Sequence, residues 1–160
     1  LFLGLRKLHQ LAPEWGRLLE AAALLRDAGH YLSGTSHHKH SWYVVAHSDL
    51  PGFTDHERAL VALLCRYHRK AMPTPKHPEF ARESPDDQRA ITRLVPLLRL
   101  ADALDRGRDQ RLESVTVDLE PNRVALRPSG QSESALEAWA VEQAADDFTA
   151  VYGLPVVVRP

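Results

Sequence analysis

The apolar residues change period partway along the chain, and this limits the fold more than any other feature. Up to about residue 105 they recur at intervals of three and four. Trp15, Leu18, Leu19, Ala22 and Leu25 form one such set, Leu60, Leu63, Leu64 and Tyr67 a second, and Ile91, Leu94, Val95, Leu98 and Ala101 a third. Each set is one stripe along a helix. Beyond Arg106-Gly107 the spacing falls to two. Val115, Val117 and Leu119 share one side of a strand, and Val124 to Leu126 answer across a turn at Pro121-Asn122. A last helix is expected over Ala135 to Tyr152, with Leu136, Trp139, Ala140, Phe148 and Val151 in its core face. Gly153 stops it, and Leu154 to Val158 is a final strand. The expected class is mostly α, with a helical bundle over residues 1–110 and a small β-β-α-β subdomain over 111–160.

Local signals set the boundaries. Pro13 opens the first full helix and Gly29 is its expected stop. His37 begins another that runs to about His47, with His37, His40 and His47 on one face and Trp42 and Val45 toward the core. Thr54 and Glu57 are spaced as a capping box. Residues 71–84, with Pro73, Pro75 and Pro78, read as an extended loop. Ser84-Pro85-Asp86-Asp87 starts the next helix, which Pro96 should kink. The apolar start, Leu1 to Leu5, has no cap before it and reads as a helix entered midway in a longer protein.

Composition narrows the class. A 160-residue chain with 44% hydrophobic and 26% charged residues is an ordinary globular sequence, and no run is long and apolar enough for a membrane span. The single cysteine, Cys65, excludes an internal disulfide and points to the cytoplasm. Residues 1–110 carry a net charge of +3 and all nine histidines, while 111–160 carry -4. An excess this small argues for a local anion site and against nucleic acid.

The candidate site follows from two clusters, His37-His38-Lys39-His40 and Arg66-Tyr67-His68-Arg69-Lys70. They flank one helical hairpin, and together they suit a chain of phosphates. Arginine offers paired N–H donors, lysine a mobile point charge, and histidine a charge that rises beside an anion. The bland alternative is a helix C-terminus whose cations complement the dipole. Two carboxylates also stand out. Asp27 lies in the last turn of a helix, where the dipole disfavours it, and Asp102 extends an apolar stripe, where it needs a partner or a metal.

Three segments resemble known families. Ala22-Ala23-Leu24-Leu25-Arg26-Asp27-Ala28-Gly29 is similar to the His-Asp motif of HD-type metal phosphohydrolases, and Leu100-Ala101-Asp102-Ala103-Leu104-Asp105 to their final Asp motif. The two basic clusters resemble the C-terminal region of the exopolyphosphatase/pppGpp pyrophosphohydrolase (Ppx/GppA) family, and the trailing β-β-α-β piece its last subdomain. The resemblance implies an HD-like bundle in which Asp27 and Asp102 are the surviving metal positions. Arg26 stands where a ligand histidine is expected, so that centre is expected to be degenerate and empty. The family assigns hydrolysis to N-terminal actin-like domains, with Mg²⁺ or Mn²⁺ as a cofactor for the parent enzyme and none in this segment. Carried over by motif, His38, His40, Arg66, His68, Arg69 and Lys70 would bind inorganic polyphosphate or a guanosine polyphosphate in a homodimer. Two other readings stand beside this one. The chain could be a free-standing HD-type phosphohydrolase with His37, His38 or His68 as the substitute ligand, or a regulatory module for a guanosine phosphate such as ppGpp.

Overall fold

The computed structural model describes residues 1–108, 111–130 and 135–159. Seven helices and three strands occur among them. They are α1 (Arg6–His9), α2 (Glu14–Leu25), α3 (His37–His47), α4 (Asp55–Tyr67), α5 (Pro78–Ala81), α6 (Pro85–Leu104), β1 (Leu112–Glu120), β2 (Arg123–Gly130), α7 (Ala135–Tyr152) and β3 (Val156–Val158). A 3₁₀ turn covers Ala28–Tyr31. The mostly α class with a small α/β piece is as the periodicity requires. The residues form two compact units, Leu11–Leu98 and Leu1–Gln10 with Arg99–Pro160. No helix among the described residues is long and apolar enough to cross a membrane.

In the helical unit α4 packs against α2 and α3, and α3 against the 3₁₀ turn. Leu60, Val61, Leu63 and Leu64 of α4 are buried, each stabilising the fold by roughly 1.5–3 kcal/mol relative to exposure. The capping box forms as spaced. Thr54 Oγ1 accepts from the Glu57 amide at 3.2 Å, and a Glu57 carboxylate oxygen accepts from the Thr54 amide at 2.8 Å. Ser84 caps α6 by accepting from the Asp87 amide at 3.1 Å, and α6 continues through Pro96 to Leu104.

Several expectations need correction here. α2 ends at Leu25, and Gly29 is not its stop. Glycine is required at 29 because α3 crosses directly over it: a Cβ there would lie 2.3 Å from both the His37 carbonyl oxygen and the Ser41 amide nitrogen. The buried Ser41 hydroxyl fills the remaining space, accepting from the Gly29 amide at 2.9 Å and donating to the Arg26 carbonyl at 2.6 Å. The proline-rich segment 71–84 is not wholly extended, because Pro78 sits at the first position of the one-turn α5. On α3 the buried histidines are His37 and His38. His40 is half-buried, and His47 is exposed with its ring stacked on Tyr43.

The second unit is built on the sheet, in the order β1-β2-β3. β1 and β2 are an antiparallel hairpin across Pro121-Asn122, and β3 pairs parallel to β2 with Val124 opposite Val156. A parallel return needs a crossover, which α7 supplies before Gly153 ends it at φ +70°. The central strand β2 is the buried one, through Val124, Ala125 and Leu126, whereas Leu119 of β1 is 38% exposed. Trp139 is 56% exposed and is not a core residue, in contrast to Ala140 and Phe148. The Leu136 side chain lies outside the described residues. The first ten residues do not enter mid-helix. They form turns at Phe2 to Leu5 and then the short α1, with Leu5 and His9 fully buried. His9 stacks on Phe2 and places Nε2 2.9 Å from the Phe2 carbonyl oxygen.

Candidate functional site

The junction of α3 and α4 carries two adjoining sites. The first is a cleft of about 360 Å³ lined by Ser36, His38, Lys39, Arg66, Tyr67, Lys70, Ala71 and His77. Ser36 precedes α3, and its φ of +55° turns the chain into the helix, on which His38 is buried and Lys39 exposed. α4 ends at Tyr67. Lys70 then reverses the backbone at φ +65°, which brings the 71–77 segment back over the helix end. The His77 ring stacks on Tyr67 with centroids 5.4 Å apart, closing one side.

Three of the six residues expected to bind phosphate line this cleft: His38, Arg66 and Lys70. Arg66 is partly neutralised, with Nε 3.3 Å from a Glu79 carboxylate oxygen. His38 is buried and its Nδ1 has no hydrogen-bond partner in the structure. Burial first, and then the positive fields of Arg66, His68 and Arg69, push its pKa down to about 4. At neutral pH His38 is therefore a neutral imidazole that can hydrogen-bond an anion, and it adds no charge. Lys39 and His77 were missed as lining residues. Lys39 stood between His38 and His40 in the motif itself, and His77 gave no signal because only the backbone reversal at Lys70 brings it near.

His40, His68 and Arg69 do not line the cleft. The His68 ring turns back toward its own helix, where its Nδ1–H donates to the Cys65 carbonyl at 2.7 Å. Its Nε2 lies 3.2 Å from His37 Nε2 and 3.9 Å from Asp27 Oδ1. A terminal nitrogen of Arg69 reaches His37 Nδ1 at 3.3 Å, and that same Nδ1 is 3.4 Å from the Gly34 carbonyl oxygen.

These contacts make the second site, a knot of polar groups around Asp27. Oδ1 of Asp27 is 3.4 Å from His37 Nε2 and 3.6 Å from His30 Nε2, while Oδ2 faces Arg26 Nε at 3.7 Å. Burial is the main reason the His37 pKa lies below the ordinary value, opposed by its hydrogen bond to Gly34. Asp27 thus has the partners that its place at a helix end demands. Asp102 belongs to the other unit, where Arg106 binds it at 3.1 Å. His30 is the residue of this knot that sequence reasoning missed. Its spacing to Asp27 was visible, but nothing in the pattern indicated that the 3₁₀ turn would fold it back over His37, 3.7 Å between ring centroids.

Comparison with known proteins gives this geometry a context. The profile of the family described as Ppx/GppA phosphatase, domain III matches residues 4–143. The chain is 32% identical over 155 residues to a guanosine-5'-triphosphate,3'-diphosphate pyrophosphatase of Vibrio vulnificus, an alignment covering 92% of this chain and 29% of that protein. A protein of the same name from Pseudoalteromonas atlantica is 33% identical over 107 residues, 66% of this chain and 20% of its own length. The chain spans less than a third of these relatives. With the family's domain III covering nearly all of it, the chain belongs to the Ppx/GppA phosphatase family and corresponds to that family's C-terminal region.

Proposed function

We propose that this domain holds a phosphate-chain anion in the cleft between α3 and the end of α4, as the substrate-binding part of a larger phosphohydrolase. The observation that carries the reading is the charge lining of that cleft. Lys39, Arg66 and Lys70 face one space, and a single carboxylate, that of Glu79, offsets them through Arg66. Arg66 would give directed N–H donors and the two exposed lysines mobile charges. His38, neutral and buried, would donate or accept one hydrogen bond at the cleft wall. Bond cleavage would belong to actin-like domains elsewhere in the parent enzyme.

Inorganic polyphosphate and guanosine polyphosphates share this chemistry. The names of the relatives favour a guanosine polyphosphate as the natural ligand, and the half-buried His77 ring at the cleft wall offers an aromatic surface to a base. Equilibrium binding of labelled polyphosphate, with unlabelled polyphosphate or pppGpp as competitor, separates the two. Three cationic contacts, each releasing about 0.7 counterion by analogy with single-stranded nucleic acid, give a log-log salt slope of roughly -2. Lys39→Glu together with Lys70→Glu should weaken binding and flatten the slope. Binding that is indifferent to salt and to this double change would mean that the cations only complement a helix end.

A further inference from the structure

Asp27 and the imidazoles of His37 and His68 are spaced like the ligands of a metal ion, and His30 stands beside them. With ligand bonds of about 2.0–2.1 Å, the edges of a tetrahedral zinc site are roughly 3.3–3.4 Å. The knot has His37 Nε2 3.2 Å from His68 Nε2 and 3.4 Å from Asp27 Oδ1. Oδ1 is also 3.6 Å from His30 Nε2 and 3.9 Å from His68 Nε2. A donor atom from each of Asp27, His30 and His37 lies within 4.8 Å of the other two. We infer that Asp27, His37 and His68, joined by His30 once its ring turns toward them, form a four-ligand site for one divalent transition-metal ion, with Zn²⁺ the best match to three imidazoles and one carboxylate.

The hydrogen bonds behind the ligands are those such a site uses. His68 donates its Nδ1–H to the Cys65 carbonyl, which leaves Nε2 as a lone pair aimed into the knot. His37 can do the same toward the Gly34 carbonyl. Without an ion, the contact between the two Nε2 atoms requires one to carry the proton, and His37 can take that tautomer by accepting from Arg69 at Nδ1. Metal binding then needs the His37 proton on Nδ1, donated to the Gly34 carbonyl, so the Arg69 donor at that nitrogen has to withdraw; no net proton is released. His30, half-exposed and stacked over His37, must tilt its ring to aim Nε2 at the ion.

The donor set also says what the site is not. Imidazole-rich ligation suits Zn²⁺, Co²⁺ or Ni²⁺ and not Mg²⁺, which prefers oxygen ligands. Four protein ligands close a tetrahedral ion to water, so its role is structural, tying the 3₁₀ turn to α3 and to the end of α4. Arg26 beside Oδ2 and Arg69 beside His37 place two positive charges next to the site, which sets its affinity below that of an all-neutral surround. A second group, His56 with Glu83 and Asp87, does not compare. There a single exposed imidazole stands with two carboxylates, a donor set that suits Zn²⁺ less well than three imidazoles and one carboxylate.

The test is a titration of the untagged, chelator-stripped protein with Co²⁺, read by the visible absorption of tetrahedral cobalt and followed by displacement with Zn²⁺. One equivalent is expected to bind with a micromolar or tighter dissociation constant, and Zn²⁺ should raise Tm. His37→Ala and His68→Ala should abolish the signal. Because burial of those two side chains could make folding depend on them, His30→Ala serves as the surface variant. It should remain folded by circular dichroism and weaken Co²⁺ binding by at least about tenfold, since even outer-shell changes at metal sites cost that much. His56→Ala should leave binding unchanged. Substoichiometric binding at micromolar metal, octahedral cobalt, loss of binding in His56→Ala, or unchanged affinity in His30→Ala would each overturn the assignment.

Discussion

Gly29→Ala should be among the most destabilising single-methyl additions in the helical unit. The new Cβ would sit 2.3 Å from two backbone atoms of α3, the His37 oxygen and the Ser41 nitrogen. Ordinary contact needs more than an ångström of extra separation, and neither neighbour is a side chain that can swing aside. If α3 withdraws by that much, Ser41 loses its 2.9 Å bond from the Gly29 amide and its 2.6 Å bond to the Arg26 carbonyl. Leaving buried partners unmade costs about 1–3 kcal/mol each. The stiffer unfolded chain returns about 0.4–1 kcal/mol. The net expectation is a loss of roughly 1–5 kcal/mol. Gly34→Ala is the matched control, because its nearest neighbour is His30 Nδ1 at 3.9 Å and its φ is not in the left-handed region. It should be neutral or slightly stabilising. Urea unfolding followed by far-ultraviolet circular dichroism gives both numbers as midpoint shifts at unchanged slope. A Gly29→Ala variant within 1 kcal/mol of Gly34→Ala, on the order of RT, would show that α3 does not approach the turn as closely as described.

Three other outcomes are expected. Glu57→Gln should lower stability at neutral pH, because the Thr54 amide holds the Glu57 pKa below its ordinary value. A depressed carboxylate stabilises the fold above its unfolded pKa, so the gap between variant and parent should close as the pH falls through the folded value; a pH series of unfolding midpoints reads this. Cys65 should resist thiol reagents at pH 8 until the chain unfolds, since burial pushes its pKa up to about 12 and leaves a thiolate fraction of roughly one in ten thousand. Asp147→Ala should cost about 1–3 kcal/mol in thermal or urea unfolding, because it removes the carboxylate bound to the buried Arg99. Conserved stability in that variant would show that Arg99 does not depend on the pair.

The sequence made the helices readable because their signals are local. Thr54 and Glu57 are three residues apart, and their box forms as spaced; His37 to His47 is a helix with the expected ends. The hairpin was equally open, since Pro121-Asn122 sits between two alternating runs. What failed depended on how elements meet. Trp139 matched a buried stripe by spacing and lies exposed, because hydrophobicity does not say which face a partner covers. Gly29 looked like a stop and is a crossing point. The basic motifs marked the right neighbourhood but did not assign the side chains within it. His38 turns toward the cleft and His68 away from it, and that depends on the helix-end hydrogen bond to the Cys65 carbonyl. His30 joined Asp27 only through the 3₁₀ turn.

The first ten residues belong to the same compact unit as the sheet, with Gly4 against Val117. A ribosome adding about 5–20 residues per second delivers that partner on the order of a hundred residues later, roughly 5–20 s after Gly4 has been made. The sheet-bearing unit is thus discontinuous in synthesis, and its opening segment must wait while the whole helical unit emerges and folds. During that interval Phe2 and His9 can stack on each other, but the strand that meets Gly4 does not yet exist. A nascent chain stalled so that Leu98 has just left the ribosome should therefore protect the α3–α4 hairpin from protease while leaving the segment around Leu5 open to it.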